Sequence, residues 1–126
     1  MKAKKELGQN FLTDPRVVID LVAASDPRPE DIFLEIGPGQ GAVTKVLAPK
    51  VKSVIAVELD RELIDELKEN LKKFKNVKVV HKDILVFLNS QFLIPNSQFS
   101  KVIGSIPYQI TSPLLHELAK LSQKTK

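Results

Sequence analysis

The turn Gly37-Pro38-Gly39-Gln40-Gly41 follows directly on the mostly apolar run Ile32–Ile36, and Glu58 stands 21 residues after Gly37, closing a second such run. Glycines after a strand let the backbone approach a ligand closely and aim helix N-terminal N–H groups at it. A carboxylate at the neighbouring strand tip can accept two hydrogen bonds from ribose hydroxyls. Gly37, Gly39 and Glu58 together point to a cofactor that contains adenosine. Asp83, after a third apolar run, adds an acceptor where an adenine amino group could lie, or else caps a helix. The plain alternatives are a purely structural turn and a solvated strand-end acid at Glu58. The spacing departs by one residue from the dinucleotide pattern G-x-G-x-x-G, and Pro38 and Glu35 are unusual beside a pyrophosphate. These residues alone leave S-adenosylmethionine and a nicotinamide dinucleotide both open.

The elements that must position them alternate in type. Thr13-Asp14-Pro15 has the form of a helix start, with Val17, Val18, Leu21 and Val22 at helical spacing and a stop near Ser25 before Pro27 and Pro29. Ile32–Ile36 reads as a buried strand ending in the glycine turn, and residues 42–48 as a short helix ended by Pro49. Residues 53–57 form a second strand closed by Glu58. Residues 61–74 carry Leu63, Ile64, Leu67, Leu71 and Phe74 on one helical face. A third strand at 77–80 precedes Asp83, residues 89–100 read as a polar, amide-rich loop, and a fourth strand at 102–106 runs into Pro107-Tyr108. Ser112-Pro113 opens a last helix. Strands alternating with helices imply an α/β fold with a parallel sheet, helices on both faces, and ligands at the carboxyl ends of the strands. Gly37, Glu58, Asp83 and Ser105 all fall at such ends.

Ser105-Ile106-Pro107-Tyr108 resembles the [Asn/Asp/Ser]-x-Pro-[Tyr/Phe] motif of methyltransferases that act on planar exocyclic amines. An adenine amino nitrogen delocalises its lone pair into the ring and is a poor nucleophile. Acceptors on its two N–H groups, a side-chain oxygen at Ser105 and the carbonyl of Ile106, favour a tetrahedral nitrogen aimed at the methyl group. Pro107 stiffens the turn, and Tyr108 offers a face for an extruded base, worth about 1–3 kcal/mol. Three further blocks, Lys5 through Leu12 (K-E-L-G-Q-N-F-L), Leu34 through Gly41 (L-E-I-G-P-G-Q-G) and Ile55 through Asp60 (I-A-V-E-L-D), resemble the ribosomal RNA adenine dimethyltransferase family. The L-G-Q-N-F-L opening is similar to its small-subunit (16S) branch. The resemblance implies a Rossmann-like S-adenosylmethionine methyltransferase fold with parallel strand order 3-2-1-4. It places Gln9, Asn10, Leu12 and Gly39 in the cofactor site, Gly37 at the methionine portion, Glu58 at the ribose, Asp83 at the adenine and Ser105 between cofactor and amine. It also implies dimethylation of two adjacent adenosines in small-subunit rRNA of a pre-ribosomal particle. The family carries asparagine where this chain has Ser105. Its catalytic domain continues for three more strands and a helical RNA-binding domain, so residues 1–126 are expected to be its N-terminal part, with 1–30 a cofactor-covering segment and 31–126 the β/α core.

The rest of the composition narrows the classes. The 126 residues hold 43% hydrophobic and 27% charged side chains, which excludes fibrous and wholly disordered readings. Without cysteine there is no disulfide framework and no thiolate zinc site, and His81 and His116 have no partner at ligand spacing, so no metal is expected. The longest apolar run, residues 84–88, is far short of the roughly 20 residues that span a bilayer, and a cytoplasmic location is the default. A formal net charge of +4 allows a polyanionic partner. Lys2, Lys4 and Lys5 beside the Gln9-Asn10 block are the better candidates for phosphate contact, whereas Lys72, Lys73, Lys75 and Lys78 read as a solvated face, with an RNA footprint as the alternative. Two other functions compete with the methyltransferase: a non-catalytic RNA-binding or assembly factor on the same fold, and a nicotinamide-dependent oxidoreductase.

Overall fold

The computed structural model describes residues 14–91 and 99–104. The first helix, α1 (Pro15–Ala24), starts as its sequence dictates. Asp14 Oδ1 accepts from Arg16 N at 2.9 Å, and Pro15 fills the first turn, where its missing N–H costs nothing. Its buried stripe is Val18 and Val22, one helical turn apart. The chain then reverses through Asp26 at φ 50° and the two prolines into β1 (Ile32–Ile36).

Four strands form one parallel sheet in the order β3-β2-β1-β4, with β2 spanning Ser53–Glu58, β3 Val77–His81 and β4 Lys101–Gly104. This is the α/β architecture and strand order expected from the family pattern. Strand β1 is central and covered on both faces, which is why it reads as a nearly unbroken apolar run. Side chains alternate across it: Phe33 packs with Val18, Val22, Leu47 and Val54 on one face, and Leu34 and Ile36 pack with Val57, Phe87 and Leu88 on the other. Truncating Phe33 or Leu34, both without exposed surface, to alanine would cost about 2–5 kcal/mol. Gly104 ends β4 opposite Ile36 at a place no side chain fits, because a Cβ there would lie 2.3 Å from the Ile36 carbonyl oxygen.

Several elements differ from their sequence expectation. The helix after the glycine turn, α2 (Ala42–Leu47), does not stop at Pro49 but tightens into a 3₁₀ turn, Ala48–Lys50, that accepts the proline in its first turn. The helix α3 (Arg61–Leu71) ends one turn before Phe74. A fourth helix, α4 (Ile84–Gln91), occupies residues left unassigned and the first three residues of the expected polar loop. Its buried residues Ile84, Phe87 and Leu88 keep helical spacing, but Leu85 and the half-exposed Val86 between them are apolar too, so the sequence shows no 3.6-residue period. Residues 92–98 and the end of the expected fourth strand, 105–106, lie outside the described residues. Among the described residues no helix is long and apolar enough to cross a membrane.

Candidate active site

The carboxyl tips of β1, β2 and β3 are stitched together by backbone bonds. Gly37 N donates to Val57 O at 3.0 Å, and Lys82 N donates to Glu58 O at 3.1 Å, so the glycine turn, Glu58 and Asp83 form one rim. The turn itself needs glycine: Gly37, Gly39 and Gly41 sit at φ 67°, 59° and 92°. At Gly39 a Cβ would meet nothing within 4 Å, so the turn presents bare backbone to open space.

Glu58 is buried, not the solvated strand-end acid of the plain alternative. Its Oε1 accepts from Gly39 N at 3.0 Å and its Oε2 from Asp60 N at 2.8 Å. The carboxylate therefore holds the β1 turn and the β2 tip in one arrangement. Asp60 in turn caps α3, its Oδ1 accepting from Glu62 N at 2.9 Å. Leu59, between the two acids, is 64% exposed, an apolar side chain standing at the rim. His81 Nε2 donates to the Leu59 carbonyl at 3.2 Å and fixes that tip to β3. Asp83 is exposed and does cap a helix: its Oδ1 accepts from Leu85 N at 2.8 Å at the start of α4. The two readings of Asp83 are compatible, since a carboxylate offers about four acceptor sites.

Glu35, read from sequence only as unusual beside a pyrophosphate, has an environment that only the fold reveals. Period-two alternation turns it to the same face as Phe33, where it lies fully buried beneath α2. Its Oε1 accepts from the Thr44 hydroxyl in α2. Burial pushes its pKa up to about 7, the Thr44 hydrogen bond opposes that rise, and the Glu58 charge adds to it. The signal was present in the sequence as an acid interrupting an otherwise apolar strand.

The glycine turn is not an anion cradle. All three glycine amides are already spent within the protein: Gly37 on Val57 O, Gly39 on Glu58 Oε1 and Gly41 on Pro38 O at 2.9 Å. Two buried carboxyl groups, Glu35 and Glu58, flank the turn. A pyrophosphate would find few donors and an unfavourable potential here, whereas a cationic group would find a favourable one. Of the expected site residues, the fold brings Gly37, Gly39, Glu58 and Asp83 together. Gln9, Asn10, Leu12, Ser105, Ile106, Pro107 and Tyr108 lie outside the described residues, as do Lys2, Lys4 and Lys5.

The family model described as ribosomal RNA adenine dimethylase matches residues 1–126. A ribosomal RNA small subunit methyltransferase A of Pediococcus pentosaceus is 40% identical over 91% of this chain and 40% of its own length; that of Clostridium botulinum strain Okra is 40% identical over 93% and 42%. The chain thus spans about two-fifths of the length of the curated relatives it matches. A dimethyladenosine transferase from Plasmodium falciparum superposes with a TM-score of 0.72 at 29% identity, covering 85% of this chain and 37% of that one. The 23S rRNA methyltransferase ErmE superposes at 0.71 with 33% identity, covering 82% and 40%. With the family model matched over residues 1–126, this chain belongs to the ribosomal RNA adenine dimethylase family.

Proposed function

We propose that this chain supplies the cofactor-binding N-terminal part of an S-adenosylmethionine-dependent rRNA adenine dimethyltransferase of the small-subunit type. The observation that carries the reading is the acid-flanked glycine turn with its own amides satisfied, held to Glu58 at the next strand tip. That chemistry suits a cationic, adenosine-bearing group and disfavours the dinucleotide alternative. Gly37 and Gly39 would border the methionine portion, Glu58 the ribose, and Asp83 the adenine amino group. The exposed Leu59 offers an apolar face beside the same base. Gln9, Asn10 and Leu12 would close the site from the segment 1–30, which we read as its cover, with 31–126 as the β/α core.

When bound, S-adenosylmethionine supplies an electrophilic methyl on a sulfonium sulfur. The chain's own residues do the rest. Ser105 Oγ and the Ile106 carbonyl accept the N–H bonds of the target amine and turn its lone pair toward the methyl carbon. Pro107 limits the motion of that turn, and Tyr108 stacks on the extruded adenine. The oriented amine would accept the methyl that S-adenosylmethionine would supply and give up a proton to solvent, and two such transfers would give the dimethyl product. The substrate on this reading is small-subunit rRNA in a pre-ribosomal particle, and the compartment is the cytoplasm.

Calorimetry tests the reading directly. S-adenosylmethionine or its demethylated product should bind, and Glu58→Ala should weaken binding by about 10- to 100-fold, the loss of charge-assisted hydrogen bonds worth roughly 1.5–3 kcal/mol. Binding of a nicotinamide dinucleotide in place of S-adenosylmethionine would overturn it. Cofactor binding without transfer of labelled methyl to small-subunit rRNA, in the chain extended to the length of its relatives, would favour the non-catalytic factor.

A further inference from the structure

The end of the sheet opposite the candidate active site carries a concentrated positive charge. Residues 42–57 and 70–82 together contain eight lysines and no aspartate or glutamate. The fold gathers five of these, Lys50, Lys52, Lys72, Lys73 and Lys75, at the amino ends of β2 and β3, and all five are exposed. Lys50 ends the 3₁₀ turn that leads into β2, and Lys52 follows it. Lys72, Lys73 and Lys75 leave the end of α3, which returns antiparallel to the strands. One residue clamps the two groups together: the Asn76 side-chain Nδ2 donates to Ala48 O at 2.8 Å and to Val51 O at 3.2 Å, and its backbone carbonyl accepts from Val54 N at 2.9 Å. Lys50 and Lys75 are thus held on adjoining, hydrogen-bonded loops and do not sit on independent surface segments.

Nearby acids neutralise little of this charge. Glu69 pairs with Lys72 at 2.7 Å, and Asp31 is buried and committed to Lys101. Glu30 is exposed in the preceding turn. The surface also lacks what other partners need. Its residues include none of the exposed large apolar side chains, Ile19, Leu59 and Val86, that could insert into a membrane, and lysine is depleted from the cores of protein–protein interfaces. The apolar residues between these lysines, Val51 and Phe74, are buried and half-buried, and Lys73 Nζ lies 5.4 Å from the Phe74 ring centroid, so the charge stands outermost, as in a surface that tracks a phosphate backbone.

We propose that Lys50, Lys52, Lys72, Lys73 and Lys75 form a second RNA-contact surface that grips the phosphate backbone of the same folded RNA one strand length from the reacting base. This rests on the rRNA substrate proposed above. Five strand residues at 3.3 Å each put the patch about 16 Å from the carboxyl tips, a span that a folded RNA bridges readily. The contacts are sequence-independent and add affinity and orientation to the docked RNA.

Salt-dependent binding of a duplex RNA hairpin to the full chain tests this. Each phosphate contact contributes about 0.9 to the slope of log affinity against log salt. The triple variant Lys50→Gln, Lys52→Gln, Lys75→Gln should lower that slope by about 2 to 3, with an unchanged melting curve by circular dichroism. The triple variant Arg16→Gln, Arg61→Gln, Lys68→Gln, with the same net charge, should lower it by less than half as much. Lys→Arg changes at the three patch positions should leave it intact. Equal losses in the two Gln triples, loss in the Arg variant, or a slope unaffected by the patch would overturn the proposal, as would stronger patch dependence for phosphatidylserine vesicles than for RNA. S-adenosylhomocysteine binding is read in parallel. A chain that binds it but shows no patch-dependent slope loses this inference and keeps the active-site reading.

Discussion

The two ends of β1 each bury a carboxyl group, and they treat it in opposite ways. At the amino end, Asp31 receives Lys101 Nζ at 2.8 Å, the Ser100 hydroxyl at 2.9 Å and Arg28 N at 2.9 Å. The Lys101 hydrogen bond is the chief reason its pKa falls, with Ser100 and Arg28 N helping and burial opposing. At the carboxyl end, Glu35 has a single hydroxyl and a second carboxylate nearby, and its pKa climbs to about 7. One end is a latch that closes β1 against β4 and stabilises the fold. The other stores an unfavourable charge beside the turn where a cationic ligand would sit. Strain of that kind is what binding sites retain and scaffold regions avoid.

The comparison breaks most severely at Gly104. It brings β4 against β1 at the site end, and Gly104→Ala would place a Cβ 2.3 Å from Ile36 O and 2.9 Å from Ile36 N. Backbone must move, and the loss should be about 3 kcal/mol or more by denaturant unfolding. A near-neutral result would show that the two strands part freely there.

Glu35→Gln comes next. A carboxyl whose pKa rises on folding binds more protons in the folded state, so stability falls as pH rises from about 4.5 to about 7 and stays low above that. Glutamine can keep the Thr44 hydrogen bond and removes that slope, a gain of up to about 3 kcal/mol at pH 8. Thr44→Val should do the reverse, extending the loss above pH 7. Melting temperatures measured from pH 4 to 9 separate the two variants.

The smallest effect belongs to the latch. Asp31 has a lowered folded pKa, so its stabilisation is present above its ordinary value near 4 and is lost as pH falls through the lowered one. Asp31→Asn or Lys101→Met should therefore flatten the acid limb and leave the profile near pH 7 to 9 unchanged in shape. A change confined to the alkaline side would mean that the two ends are electrically coupled.

Much of the site was legible because its signals are local. The glycine turn, the acids at the tips of β2 and β3, and the cap at Asp14 are each set by residues within a few positions of one another. The α4 helix was not legible, because a run apolar on every side carries no period, although its cap at Asp83 stood in view. The lysines at 72, 73 and 75 read from sequence as a solvated face or an RNA footprint, and only the fold shows Asn76 tying their run to the loop that carries Lys50.

The order of elements, the glycine turn and the acids at the strand tips were settled by sequence, because backbone preference and side-chain periodicity act over short stretches of chain. What became of the acids was settled only in three dimensions. Asp31 meets Ser100 across 69 residues because β1 pairs with β4, and Glu35 meets Thr44 because α2 folds back over β1. Protonation depends on desolvation and on charges a few ångströms away, and strand order decides both.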